Sequence, residues 1–358
     1  MTVIDQSGNI HRSAGAPGGG QFAGKVNAAP KRALTDQDDV TEPTPEFHQV
    51  WDGRAEHAKA AYAHAMISIL IEPGDPETSD PIHAIGPETA LQILASDAPD
   101  EDVAAQLGGR IPAAKVHAAR GKLRNANDSF KDAAEAGIRV VTAAEGGIPS
   151  QFAALGTRAP FAFWAKGDVA LLSTLETGVT FTGTRAGTAY GEHVAAELAS
   201  DQAASGRTIV GGGAYGIESA SQRAALMAGG RAIVFLPAGV DRPYPVGNAQ
   251  LHARAAENGL LISEVPPRTA PTKWRFMARN RLLAAATPLT VIVEASANST
   301  SMQTAIRAKQ MGRQVAAVPG PITSAASLGA NQLIRDGIAT AIADSRDVTE
   351  LAQNGVFK

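Results

Sequence analysis

From Val179 onward the sequence alternates short runs of apolar and β-branched residues with longer stretches of helical spacing, and this alternation limits the fold more than any other feature. The runs Val179–Thr182, Thr208–Val210, Ala232–Leu236, Leu260–Ser263, Thr290–Val293 and Val315–Val318 read as strands. Between them, segments near 188–204, 217–229, 247–258, 273–286, 301–312 and 327–336 carry apolar residues three and four apart, which predicts helices. A strand with no polar face needs cover on both sides, and an intervening helix returns each strand parallel to the last. The prediction is an α/β fold, a parallel sheet with helices on both faces, whose ligands bind beyond the carboxyl ends of the strands.

The chain before that point reads differently. Residues 1–45 are rich in Gly, Pro, Ser and Asp without apolar periodicity, and the stretch Ser13 to Gly20 predicts a disordered tail. Gly18 to Gly20 has the composition of a phosphate cradle, but no strand precedes it and no helix clearly follows. Residues 46–140 are expected to form a small helical domain, from the spacing through Ala55–Leu70 and Thr89–Leu94. Its Ile85-Gly-Pro-Glu turn serves either plain helix packing or the presentation of backbone amides to a DNA phosphate. The α/β domain is placed at 141–348, with a short tail at 349–358 and no winged helix.

Charge is unevenly shared. The net charge of −3 conceals a body from Val179 to Ala343 with 15 Lys/Arg against 9 Asp/Glu, while the remainder carries 17 against 26. The net charge argues against a simple electrostatic nucleic-acid binder, but a basic body with acidic flanks is a charge asymmetry that bears on the partner. The chain has no cysteine, which excludes disulfides, cysteine-ligated zinc and thiol catalysis. No apolar run approaches the roughly 18 to 20 residues that span a bilayer, and no secretory signal is read. A cytoplasmic protein without a membrane partner is expected.

Three loops carry the chemistry. In Phe181-Thr-Gly-Thr-Arg-Ala-Gly-Thr-Ala-Tyr-Gly191, Gly183 turns the backbone after a strand, and Thr184 and Thr188 offer hydroxyls where the next helix begins. Arg185 adds a charge beside free helix-terminal amides, an arrangement suited to a phosphate. The second loop, Val210 to Ile217, matches G-x-G-x-x-G at Gly211, Gly213 and Gly216. A dinucleotide site also needs an acid about 20 positions later, at the end of the next strand. That strand ends Phe235-Leu-Pro-Ala-Gly239, with no acid, which weakens a nicotinamide reading.

The third loop is the densest in cations. Lys273, Arg275, Arg279 and Arg281 fall within nine residues, with no acid and with Trp274 and Phe276 interleaved. Cations that track a phosphate backbone and rings that stack on bases are what single-strand binding requires. Catalytic groupings are poor by comparison: His193 and His252 are isolated and read as helix-surface residues. Glu264 and Glu294 end strands and are expected to hold the arginine cluster in place. Ser299-Thr-Ser301 reads first as a helix N-cap and second as a phosphate contact.

Taken in order, these motifs resemble the DprA (Smf) family. The resemblance rests on Gly183-Thr-Arg185 with Tyr190-Gly191; Gly239-Val-Asp-Arg-Pro-Tyr-Pro-Val-Gly-Asn248; Ser263-Glu264; and Phe276-Met-Ala-Arg-Asn-Arg281. It continues through Glu294-Ala295, Ser299-Thr-Ser-Met-Gln-Thr-Ala305, Gly312-Arg313, Val318-Pro-Gly320 and Gly329-Ala-Asn331, and spans about 145 to 345. It implies an extended Rossmann-like sheet preceded by a SAM-like helical domain.

The resemblance also implies a protein that is not an enzyme. The family binds single-stranded DNA, dimerises, and loads a RecA-type recombinase in natural transformation. On that basis Thr184, Arg185, Gly213, Lys273, Arg275, Phe276, Arg279, Asn280, Arg281, Ser299 and Ser301 would line the DNA site. Arg185 would grip a phosphate, Lys273 the backbone and Phe276 a base, with Arg279 and Arg281 completing a basic rim. No cofactor and no metal are implied. The chain departs from the family pattern at Gly211, Glu218, Gln222 and Thr300, where the family has Ser, Asp, His and Gly. The alternative is a nucleotide-binding enzyme or sensor of the nucleoside-monophosphate hydrolase kind. Those enzymes carry a glutamate in a Gly-rich loop, and the comparable turn here, Val318-Pro-Gly-Pro-Ile-Thr-Ser-Ala, has none.

Overall fold

The computed structural model describes residues 2–4, 10–12, 40–109 and 111–355. Thr2–Ile4 and Ile10–Arg12 pair as an antiparallel ladder within a unit of residues 1–39, and the expected glycine loop at 18–20 lies outside the described residues. Residues 40–358 form a second compact unit, which holds both the helices and the main sheet.

That unit opens with helices α1 (Pro45–Val50), α2 (Ala58–Leu70), α3 (Pro76–Ile85), α4 (Pro87–Ala95), α5 (Asp100–Gln106), α6 (Ala113–Leu123) and α7 (Asp128–Glu135). Helix α2 is apolar around nearly its whole circumference and is buried along most of its length, as the central helix of a cluster must be. Phe47 packs edge-on against Phe130 and against Tyr62 of this helix, each at 5.3 Å, and the Tyr62 and Phe130 rings lie tilted at 5.7 Å. Gly86, at φ 87°, makes the sharp turn between α3 and α4 that a Cβ would strain, and Pro87 opens the second helix.

The sheet has nine strands: β1 (Arg139–Thr142), β2 (Ala162–Gly167), β3 (Val179–Thr182), β4 (Ile209–Gly211), β5 (Ala232–Phe235), β6 (Leu260–Ser263), β7 (Leu289–Ile292), β8 (Gln314–Ala317) and β9 (Thr340–Ala341). Their spatial order is β9-β8-β7-β3-β4-β5-β6-β2-β1. Strands β3 to β9 run parallel, in register through pairs such as Val179↔Leu289 and Val210↔Ile233, and the central ones are buried on both faces. Their covers are α8 (Ala189–Ala204), α9 (Ile217–Met227), α10 (Ala249–Asn258), α11 (Lys273–Ala286), α12 (Thr300–Gln310), α13 (Leu328–Arg335) and α14 (Ser345–Asn354).

The α/β class is as expected, but the sheet is mixed. Strands β1 and β2 add antiparallel to the β6 edge, through pairs Trp164↔Ser263 and Val140↔Trp164. Trp164, fully buried on β2, donates its indole N–H to Ser68 Oγ at 3.1 Å and so ties α2 to the sheet. The last helix also runs past the expected end of the domain at residue 348. Val348, Leu351 and Ala352 recur at helical spacing and pack on the core beneath β3 and β7, and Asp344 caps the helix by accepting from Arg346 N and Asp347 N. No helix among the described residues is long and apolar enough to cross a membrane.

The order of connection reverses at β3. Strands β4 to β6 build outward on one side and β7 to β9 on the other, which places the switch-point crevice beyond the carboxyl end of β3.

Candidate nucleic-acid interface

The loop after β3 is pinned from below. Thr184 N donates to Glu294 O at 2.7 Å, and Glu294 accepts from Thr188 N at 2.9 Å and Thr188 Oγ1 at 2.7 Å. Thr188 in turn caps α8 by accepting from Gly191 N at 3.1 Å. Gly191 has no alternative, because a Cβ there would stand 2.2 Å from Glu294 Oε2. From the other side, Gly216 (φ 70°) passes so close that a Cβ would sit 2.4 Å from Thr184 O. Glu294 was expected to hold the arginine cluster. It holds this loop instead, because its strand ends beside the helix-start amides rather than beside α11.

The pinned loop leaves Thr184 partly exposed and the Arg185 side chain in solvent. Its guanidinium lies 5.1 Å from the centroid of the Phe276 ring on α11. Phe276 is half-buried and meets Tyr244 edge-on at 5.3 Å, and Tyr244 is 39% exposed. Lys273 is exposed at the first position of α11, beside the cap formed by Thr272 Oγ1 and Arg275 N. A cation at a helix N-terminus faces the positive end of the helix dipole, which disfavours it unless an anion sits alongside. Arg185, Phe276, Tyr244 and Lys273 thus present, around two aromatic rings, two cations without carboxylate partners among the described residues. Sequence reasoning did not select Tyr244 as a site residue, although it lies inside the Gly239–Asn248 motif quoted for the resemblance.

The other three arginines of the α11 run are not on this surface. Arg275 makes a bidentate pair with Glu72, Nε to Oε2 at 2.9 Å and the terminal nitrogen to Oε1 at 2.7 Å, which clamps α11 to the α2–α3 connection. Arg279 is buried. It donates to Phe235 O at 2.9 Å, stands 4.0 Å from Glu218, and fills the space under Gly212 where a Cβ would collide with it. Burial pushes its guanidinium below the usual arginine range, against the pull of Glu218. Arg281 is also buried, paired with Glu264 through contacts of 2.6 and 2.5 Å, and it donates to Arg158 O at 2.9 Å. The expected basic rim is therefore internal. An α-helix turns its residues around its axis, and only one side of α11 faces solvent at the crevice.

Gly213 is buried at φ 70°, and its carbonyl accepts from Asn248 Nδ2 at 3.0 Å, with His252 Nε2 3.3 Å away. It shapes the loop from beneath. His252 is not the surface residue that its isolation suggested: it is buried, and that burial lowers its pKa. Asn280 is half-buried on α11. Ser299 occupies the N-cap position of α12, but its hydroxyl contacts Ser301 Oγ at 2.8 Å instead of accepting from the helix, and Ser301 is buried.

The departures at 211 and 222 meet in space. Gln222 is fully buried, its side-chain amide makes no hydrogen bond among the described residues, and a Cβ on Gly211 would stand 2.7 Å from its Nε2. Glycine at 211 makes room for glutamine at 222. Glu218 keeps a carboxylate role, accepting from Thr182 Oγ1 at 2.7 Å and Ala214 N at 3.0 Å.

Comparison with known proteins identifies the family and the fold. The sequence matches the family model for DNA recombination-mediator protein A over residues 139–353. It is 37% identical over 300 residues to the DprA protein of Mycobacterium tuberculosis, covering 81% of this chain and 74% of the relative. It is 38% identical over 191 residues to DNA processing protein DprA of Bacillus subtilis, covering 53% and 64%. The crystal structure of DprA from Streptococcus pneumoniae superposes with a TM-score of 0.66 at 25% identity, over 81% of this chain and 97% of that one. DprA from Helicobacter pylori, whose structure concerns its single-stranded DNA binding mode, gives a TM-score of 0.54 at 31% identity over 58% and 93%. Fold, ordered motifs and relatives agree: this chain belongs to the DNA recombination-mediator protein A (DprA) family.

Proposed function

We propose that the protein binds single-stranded DNA at the crevice beyond β3 and hands it to a RecA-type recombinase, acting as a binding mediator in the cytoplasm rather than as a catalyst. The observation that carries this reading is the placement of Arg185 over Phe276, with Lys273 one turn earlier on the same helix and, among the described residues, no carboxylate partner for either cation. A phosphodiester supplies the missing anions, and a base offers a face to the exposed aromatic edge. The single-strand reading is further supported by the H. pylori relative, and the mediator role by family membership. The carboxylates nearest the strand ends are engaged within the protein: Glu294 with Thr188 and Glu264 with Arg281, while Glu218 at the start of α9 accepts from Thr182.

The domain reading is carried forward in the same way: a helical N-terminal part, the Rossmann-like body that bears the site, and a homodimer formed through that body. The test of the binding reading is a titration of a fluorescent single strand with the wild-type protein and with Arg185→Ala/Lys273→Ala. The double variant should bind at least tenfold more weakly, and equal affinity would place the site elsewhere. Recombinase loading is tested by the protein's ability to start a RecA filament on strands coated with single-strand-binding protein. Failure to accelerate filament growth despite tight DNA binding would remove the loading role and leave the DNA-binding role standing.

A further inference from the structure

A second basic cleft lies on the other side of α11. It has a volume of about 570 Å³ between α11, α12 and the 3₁₀ segment Ser150–Arg158, and its lining includes Arg158, Trp274, Met277, Arg281 and Arg307, with no carboxylate. Arg281 is neutralised by Glu264. Arg158 is exposed and Arg307 half-buried, and neither makes an ion pair among the described residues. The segment that carries Arg158 is fixed, because Arg158 O accepts from Arg281 Nε at 2.9 Å. Trp274 is 42% exposed and Met277 48% exposed, and the indole is held by its N–H donating to Pro73 O at 3.2 Å.

We propose that this cleft is a second subsite for single-stranded DNA, in which Arg158 and Arg307 hold a backbone phosphate and Trp274 takes a base. The proposal rests on the single-strand reading above and extends the path of the strand. Helix geometry joins the two sites: at about 100° per residue, Lys273 lies roughly 60° from Phe276 on one side and roughly 40° from Met277 on the other. A strand gripped at Arg185, Phe276 and Lys273 therefore crosses the N-terminal turn of α11 and meets the indole next. Two guanidiniums converging on one cleft repel each other, and an anion between them relieves that repulsion. Burial, then Arg158 and Arg281, push the Arg307 guanidinium below its usual range, in keeping with a cation that lacks its counter-charge.

The chain has three tryptophans, and Trp51 and Trp164 are buried, so Trp274 is the one a bound base can quench. The experiment compares an oligonucleotide of about six nucleotides, sized for the first site, with one of about twenty. Wild-type protein should show strong tryptophan quenching with the long strand and little with the short one. Arg158→Gln/Arg307→Gln should bind the short strand like wild type and the long one about tenfold more weakly, with a salt slope shallower by roughly 0.7 for each phosphate released. Trp274→Phe should abolish the quenching while leaving the short strand's affinity unchanged. Arg158→Gln alone, at an exposed position, guards against a folding defect at Arg307 and should give part of the same loss. Equal loss for both lengths, no loss for either, or tight binding of the long strand without quenching overturns the subsite. If wild-type protein binds neither length, the single-strand reading itself fails, and the subsite with it.

Discussion

Arg185, on the loop after the first parallel strand, places its guanidinium 5.1 Å from the ring centroid of Phe276, on a helix that follows the fourth. In the proposed function the pair marks the face on which a strand of nucleic acid would lie. Because Arg185 is exposed, Arg185→Ala should change stability by no more than about 0.5 kcal/mol. It should nevertheless weaken single-strand binding irrespective of sequence and flatten the salt slope by roughly 0.7. Phe276→Ala should cost about 1 to 3 kcal/mol of binding if the ring stacks on a base. Chemical denaturation alongside a salt series separates the effects, and an unfolded Phe276 variant would mark the ring as core.

Arg281 and Glu264 make the opposite case, a buried ion pair whose charges meet within the protein. Arg281→Ala strands the Glu264 carboxylate and should destabilise the fold by about 3 to 5 kcal/mol, measured by urea unfolding. Replacing both, as Arg281→Met with Glu264→Leu, should cost less than the single change. A single variant that keeps its stability but loses DNA affinity would return Arg281 to the binding surface.

Gly211 and Gln222 should behave as a coupled pair. Gly211→Ala pushes a methyl group against the Gln222 amide and should cost about 1 to 3 kcal/mol. Gln222→Ala in the same chain should recover part of that loss, giving non-additivity of about 0.5 kcal/mol or more in a double-mutant cycle. Strict additivity would show that the two side chains do not share this space.

Stability should also fall in mild acid. Burial lowers the pKa of His64, His83 and His252 below their usual 6.5. The unfolded chain then binds more protons than the folded one as pH drops through that value, so the contribution is complete above it and declines below it. Urea midpoints should be lower at about pH 5.5 than at about pH 7.5, and His252→Gln should shrink the difference. A midpoint that does not move between those values would contradict the lowered pKa of these rings.

The parallel strands and their helices were legible because each is short, apolar on both faces and bounded by glycine-rich turns, so that Val179–Thr182 and Lys273–Ala286 fall where their pattern puts them. Strands β1 and β2 were not, since their pairing is set by Trp164 meeting Ser263 across the sheet, a contact that no local period encodes. Within the site, Arg185, Phe276 and Lys273 converge from loop chemistry visible in the sequence. The cation count of α11 misled, because the carboxylates that neutralise Arg275 and Arg281 come from Glu72 and Glu264, outside that run. Charge in a segment shows what it carries, and only the fold shows which charges are already paired.

The most direct test of the central claim is fluorescence anisotropy of a labelled single strand bound at low salt and challenged in turn with unlabelled single strand, duplex DNA, NAD and a nucleoside monophosphate. The account predicts tight binding that only the unlabelled single strand displaces efficiently. Absence of binding, or displacement by the mononucleotide at comparable concentration, would contradict it and turn the crevice into a nucleotide site.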